Sequence, residues 1–168
     1  MEGVERYKVR LLPHNPEWKK EFYDVKKEIE NLWKDNVITI EHFGSTAIEG
    51  IYAKPILDVA VVVKSFQNMD IEVMKNNGYS FCGLQAPNYD RYLFVLRSES
   101  KLSLQHIHCY EQSNDDFIEC MKFRDYLINH PDKAKEYSKL KIELAKKFAD
   151  DRVAYANGKE SFIKSLME

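Results

Sequence analysis

Apolar residues recur at spacings of 4, 3, 4 and 3 through Trp18, Phe22, Val25, Ile29 and Leu32, which predicts an amphipathic helix with one buried stripe. Asn15-Pro16-Glu17 marks its start, with Asn at the cap, Pro in the first turn and an acid at the positive end of the helix dipole. The helix is expected to reach about Lys34. Val37 to Phe43 then reads as a strand, broken by Gly44-Ser45-Thr46, with a short helix after the break. Ile56 to Val63 is apolar throughout except for Asp58, the pattern of a strand covered on both faces. Ser65 is placed to cap one helix ending near Asn77, with Gly78 beyond its C-terminus.

From Tyr79 the pattern favours strands: YSFCG, a loop at LQAPNYD, RYLFVLR, a turn at SESK, and LSLQHIHCY, the last two forming a hairpin. Helices follow. One spans Asp115 to Asn129, and another starts at Pro131 with a stripe of Ala134, Tyr137, Leu140, Leu144 and Phe148. A short tail helix is expected from about Lys159 to Leu166, after Asn157-Gly158. The whole predicts an α+β fold in one domain over residues 1–168: a mixed sheet core to about 112, then a helical part from about 113.

Length agrees, since single cores usually occupy roughly 100–200 residues. A chain with 44% hydrophobic side chains is too apolar for disorder, and 6 Gly with 5 Pro exclude collagen-like sequence. No apolar run approaches a membrane span, and MEGVERYKVR lacks the apolar core of a signal peptide, so a cytoplasmic location is expected. Cys82, Cys109 and Cys120 are odd in number and form no CxxC pair, which points to reduced thiols. The net charge of −2 argues against a nucleic-acid partner but divides unevenly. Residues 37–118 carry 6 Lys/Arg against 10 Asp/Glu, and residues 119–150 carry 8 against 6. That division suits either solvated helix faces or a metal site opposite an anion-binding wall.

The chemistry concentrates in two stretches. In HFGSTAIEGIYAKPILD (42–58), Gly44 permits a sharp turn and close approach to a ligand. Ser45 and Thr46, with the amides that follow, suit either a helix cap or a phosphate site. Asp58 inside an apolar strand needs a cation, a hydrogen-bond network or a cleft, because burial without a partner costs several kcal/mol. In LSLQHIHCY, alternation puts His106 and His108 on one face with Leu102, Leu104 and Tyr110. They are candidates for metal ligands or an acid/base pair, or for packed core histidines. Should this strand neighbour Asp58, one Asp and two His share a cleft. Lys54 is placed to reach a phosphate or is merely solvated. Arg124, Tyr137 and Lys141 form either a substrate wall or part of a surface ion-pair lattice. GxxxxGK, GxGxxG and GxSxG are absent.

These residues resemble the GrpB-like family of the nucleotidyltransferase superfamily. The likeness rests on HFGSTAIEGIYAKPILD, HIH (106–108), FRDYLINHP (123–131), EYSKLKIELA (136–145) and the opening VRLLPHNPEWKKEF, and extends from about Val9 to Phe162. It implies a nucleotidyltransferase-like mixed sheet, with Gly44 and Ser45 at nucleotide phosphates and Asp58 as the first metal carboxylate. It also implies two divalent ions orienting an NTP for in-line transfer. The sequence departs from that pattern at Ala60, where a second acid is expected, and offers His106 and His108 where a third would come. Mg²⁺ or Mn²⁺ is the implied metal, although imidazoles suit softer transition metals better.

The resulting expectation is transfer of a nucleotidyl group from an NTP to a small acceptor, with the C-terminal helices as the acceptor wall. Asp58, His106 and His108 would be catalytic and metal-binding, and Gly44, Ser45, Thr46 and Lys54 would hold phosphates. Two alternatives stand beside it: a catalytically silent module binding a nucleotide or phosphorylated metabolite, and a small metal-dependent hydrolase using Asp58, His106 and His108. No membrane partner is expected.

Overall fold

A computed structural model describes residues 1–167. Five strands form one sheet in the order β1-β2-β5-β4-β3: β1 Val37–Phe43, β2 Leu57–Val63, β3 Tyr79–Leu84, β4 Tyr92–Arg97 and β5 Ser103–Glu111. β2 and β5 run parallel, and the other pairs are antiparallel, including the expected β4–β5 hairpin. The helices are α1 Glu17–Trp33, α2 Ile71–Asn76, α3 Asp115–Asn129, α4 Pro131–Lys147 and α5 Arg152–Met167. None among the described residues is long and apolar enough to cross a membrane.

The stripe of α1 buries Trp18, Phe22, Val25, Ile29 and Trp33, so it ends on Trp33 rather than Leu32. It covers one face of the sheet, where Leu57, Val59, Val61 and Val63 of β2 pack with Ile107 and Cys109 of β5. On the other face Ala60, Val62, Phe43 and Tyr110 meet Phe117, Cys120 and Met121 of α3. β2 is therefore covered on both sides, as its unbroken apolar run implies. A third cluster joins Ile48 and Ile51, from the loop after β1, to Leu127, Ala134 and Tyr137.

Three expectations are corrected. Ser65 caps only a 3₁₀ turn, Phe66–Asn68, by accepting from the Gln67 amide; Asp70 caps α2 separately through the Val73 amide. The tail helix starts at Arg152 and runs through Asn157-Gly158, because α5 packs closely on α4 there. A Cβ on Gly158 would lie 2.5 Å from Leu144 Cδ2, so this glycine serves close packing and not helix termination. Finally, the helix after Gly44 is a single 3₁₀ turn, Ser45–Ala47, too short to supply an anion site at a helix N-terminus.

Candidate functional site

The register of β2 against β5 builds the centre of the site. Asp58 lies opposite His106 and Ala60 opposite His108, so the two-residue period puts all three polar side chains on one face. Asp58 Oδ1 accepts a hydrogen bond of 3.1 Å from His108 Nε2 and lies 3.8 Å from His106 Nδ1. Ligand atoms of the three residues lie within 4.8 Å of one another. His108 is buried edge-on against Phe43, and its Nδ1 has no hydrogen-bond partner.

Burial favours the neutral acid at Asp58, but the His108 hydrogen bond and the nearby His108, His106 and Lys54 outweigh it and hold the carboxyl at about 2. Burial pushes His106 the other way for a base, down to about 4, against the pull of Asp58. At neutral pH His106 is therefore uncharged. Asp58 then remains ionised through the His108 hydrogen bond and Lys54.

Gly44 and Ser45 close one end of the site. Phe43 pairs with Asp58 across β1 and β2, so the turn after Phe43 falls directly on the carboxylate. Gly44 has φ 70° and ψ −175°, a region almost confined to glycine, and a Cβ there would lie 2.6 Å from Asp58 Oδ2. Both the conformation and the close approach require glycine.

The remaining lining comes mainly from the helices, with Lys54 from the loop before β2. Phe43, Gly44, Ser45 and Asp58 face Lys54, Tyr137, Lys141, Tyr155 and Lys159 across a cleft of about 220 Å³. Lys141 is 1% exposed; its Nζ donates to Ser45 Oγ at 2.7 Å and to the Tyr52 carbonyl, bridging α4 to both ends of the loop after β1. Its amine sits 4.9 Å from the Tyr137 ring centroid, and that of Lys159 sits 4.7 Å from the Tyr155 ring centroid. Burial, with Lys159 and Lys54 as like-charged neighbours, holds Lys141 well below the ordinary lysine value. Burial is also the main reason Lys159 falls to about 8 and Lys54 is lowered. Three lysines thus stand in one cleft with too few anions, an arrangement that an anionic ligand would relieve.

Not every expected residue joins this cleft. The Thr46 hydroxyl is buried, pairs with His42 Nε2 at 2.9 Å and does not line this cleft. It lines a second cleft of about 850 Å³ on the other side of the turn, with His42 and Phe22 among its walls. Arg124 borders both clefts but is already paired with Glu41 at 2.8 Å, Asp125 at 2.9 Å and the His42 carbonyl at 3.0 Å. It behaves as a strut between α3 and β1. Cys120 also lines the smaller cleft, where burial and Asp116 push its thiol up to about 12 and favour the neutral form.

Tyr155 and Lys159 are absent from the residues expected at the site, although the sequence carries a signal for them. YSKLK (137–141) and YANGK (155–159) both place Tyr four residues before Lys, on one helix face. A tail helix that begins only at Lys159 separates the second pair and hides it.

Fold and site together define an α+β protein in which a mixed sheet carries one carboxylate and two imidazoles, the carboxylate lining a cleft with three lysines and neither imidazole lining it. The chain belongs to the GrpB family: residues 8–168 match the family described as "GrpB protein". It is 34% identical over 171 residues to glutamate-rich protein GrpB of Alkalihalophilus pseudofirmus, covering 99% of this chain and 98% of that one. It is 35% identical over 163 residues to UPF0157 protein YqkA of Bacillus subtilis, covering 96% of this chain but only 47% of the relative. The crystal structure of GrpB from Enterococcus faecalis superposes with TM-score 0.80 at 26% identity, over 95% of this chain and all of that one. Cid1 in complex with the UTP analog UMPNPP shows a looser likeness, with TM-score 0.45 at 12% identity over 87% of this chain and 48% of that one.

Proposed function

We propose that this protein binds a nucleoside triphosphate and transfers its nucleotidyl group to a small hydroxyl or amine acceptor. The observation that supports this reading most is the set of three lysines facing Asp58 across the Gly44-Ser45 turn. A cleft of about 220 Å³ suits a phosphate chain better than a whole nucleotide. The sugar and base would extend outside it, towards the larger cleft that shares Ile48 and Arg124 as walls.

In the proposed reaction the acceptor oxygen or nitrogen bonds to the α-phosphorus, and the bond from that phosphorus to the bridging oxygen breaks. Lys54, Lys141 and Lys159 stabilise the charge gathering on the departing pyrophosphate, a stabilisation worth most where water is excluded. Ser45, fixed by Lys141, orients a phosphate oxygen. The acceptor proton passes to solvent, which leaves His106 and His108 free to hold a metal beside Asp58. A divalent cation held at Asp58 would add Lewis-acid assistance.

Millimolar NTP with Mg²⁺ or Mn²⁺ should raise Tm, because a ligand at 100 times its Kd adds about 2.7 kcal/mol to native stability. In a chain of this size that is roughly 5–10 °C. No shift with any of the four NTPs and either metal would remove the nucleotide reading. Asp58→Asn should abolish pyrophosphate release while sparing most of the shift, since the lysines carry the phosphate contacts.

Ala60 favours a second reading, a silent binding module, because it is fully buried where the superfamily pattern expects an acid. That reading predicts the same thermal shift with no pyrophosphate release from the wild-type protein.

Lys159 supplies a further prediction. Its folded value of about 8 lies below its ordinary 10.5, so between the two the unfolded chain holds more protons and stability rises with pH. Lys159→Gln should flatten that rise in thermal melts. An anion favours the charged amine, so tripolyphosphate binding near pH 8.5 should take up protons. Calorimetry in two buffers of different ionisation enthalpy measures this uptake, which Lys159→Gln should reduce.

A further inference from the structure

A two-metal hard-cation centre, which the superfamily resemblance implies, does not fit the residues present. Asp58 is the one carboxylate in the cluster; its companions are the imidazoles of His106 and His108. The position two residues on, Ala60, is 0% exposed and packs with Phe43, Val62 and Tyr110 beneath Phe117, Cys120 and Met121 of α3. The place for a second acid is therefore filled by an apolar side chain packed in the core, with His108 as its only polar cross-strand neighbour on β5.

The three remaining donors suit a different ion. Around one cation with bonds of about 2.0–2.1 Å, neighbouring ligand atoms lie about 3–3.4 Å apart. The separation between Asp58 Oδ1 and His108 Nε2 is already 3.1 Å, that to His106 Nδ1 is 3.8 Å, and all three ligand atoms lie within 4.8 Å, so closing on one ion requires the wider separations to shorten. Two imidazoles and one carboxylate favour borderline-soft ions such as Zn²⁺, Co²⁺ or Ni²⁺ over Mg²⁺. Around the cleft that Asp58 lines stand Lys54, Lys141 and Lys159, amines that a bound anion would favour in the charged form.

We infer that the site takes a single borderline-soft divalent cation on Asp58, His106 and His108, and that Lys54, Lys141 and Lys159 replace a second cation in neutralising a polyphosphate. This deepens the reading above and rests on it for the phosphate ligand alone. The unpartnered His108 Nδ1 adds a limit. A metal on Nε2 leaves the ring proton on Nδ1 without an acceptor, and lost outer support of that kind costs roughly 10–100-fold in affinity. Metal binding should therefore be readily reversible by a chelator.

The test has two arms, both on the untagged full chain. In the first, Co²⁺ is titrated without nucleotide while visible absorption is followed, and Zn²⁺ is measured by equilibrium dialysis. The expected result is one equivalent of either ion, undisturbed by a hundredfold excess of Mg²⁺. Binding should fall at least tenfold in His106→Gln and in Asp58→Asn. X-ray absorption on the Zn²⁺-loaded wild-type protein should show imidazole nitrogens at about 2.0–2.1 Å, a readout independent of whether variants fold. No binding, two equivalents, preference for Mg²⁺, or a first shell without imidazole would each overturn the metal assignment.

In the second arm, tripolyphosphate in excess EDTA should raise Tm, and Lys54→Gln with Lys159→Gln should cancel the shift. A shift that appears only when metal is restored would overturn the lysine assignment. Failure of both arms would remove the nucleotide reading as well, whereas failure of the first alone leaves it standing.

Discussion

Lys141→Ala is expected to destabilise the protein by about 3–5 kcal/mol and to abolish stabilisation by tripolyphosphate. Two effects add. The four-carbon stem is buried beside Tyr137, and truncating a long buried side chain to Ala typically costs about 2–5 kcal/mol through lost packing and the cavity left behind. Removing the amine also takes a donor from the Tyr52 carbonyl and from Ser45 Oγ, and an unsatisfied buried acceptor costs about 1–3 kcal/mol. One term opposes them. The depressed value of Lys141 shows that burying its charge is unfavourable, and the substitution relieves that cost.

Lys141→Met separates the contributions. It keeps the stem and removes the buried charge, so its destabilisation should stay below about 2 kcal/mol while binding is lost just as fully. Thermal or urea unfolding of both variants, with and without tripolyphosphate, measures the difference. Equal destabilisation by Met and Ala would mean that the hydrogen bonds, and not the packing of the stem, tie α4 to the loop after β1.

Gly44→Ala is expected to destabilise by about 2–4 kcal/mol, lowering Tm by roughly 5–15 °C. The backbone at φ 70° and ψ −175° strains any side chain by about 1–3 kcal/mol. The added Cβ would also sit 2.6 Å from Asp58 Oδ2 and 3.2 Å from its Cγ, forcing the carboxylate or the turn to move. Gly50 provides the control. It has φ 80°, but nothing lies within 4 Å of an added Cβ, so Gly50→Ala carries strain alone, about 1 kcal/mol. Nearly equal melting temperatures for the two variants would remove the close approach as a cause. Metal binding should separate them further, because only Gly44→Ala displaces Asp58.

Much of the site is legible in the amino-acid sequence. Asp58 stands out because a carboxyl inside an apolar strand needs a partner, and that physical demand holds whatever the strand order. The shared face of His106 and His108 follows from the two-residue period. Thr46 is misleading because its hydroxyl has two local choices, a ligand or His42, and spacing alone does not choose between them. The buried role of Lys141 is hidden for another reason: a lysine on a helix face is ordinarily solvated, and only the apposition of α4 against the Gly44-Ser45 turn buries it. Gly158 misleads in the opposite direction. Glycine after Asn normally ends a helix, but here it lets α5 approach Leu144, a contact between residues that the local pattern does not connect.

Local patterns along the chain establish the alternation of elements, the two-faced burial of β2, the glycine at the turn and the identity of the polar groups on β2 and β5. These follow from periods of 2.0 and 3.6 residues and from backbone rules acting over a few positions. The assembled fold is what makes β2 and β5 parallel neighbours in a register that opposes Asp58 to His106. It alone placed Lys54, Lys141 and Lys159 in one cleft. Strand order and helix docking are fixed by burial summed over the whole core, among residues about 50 to 100 positions apart in the chain, and no local pattern carries that sum.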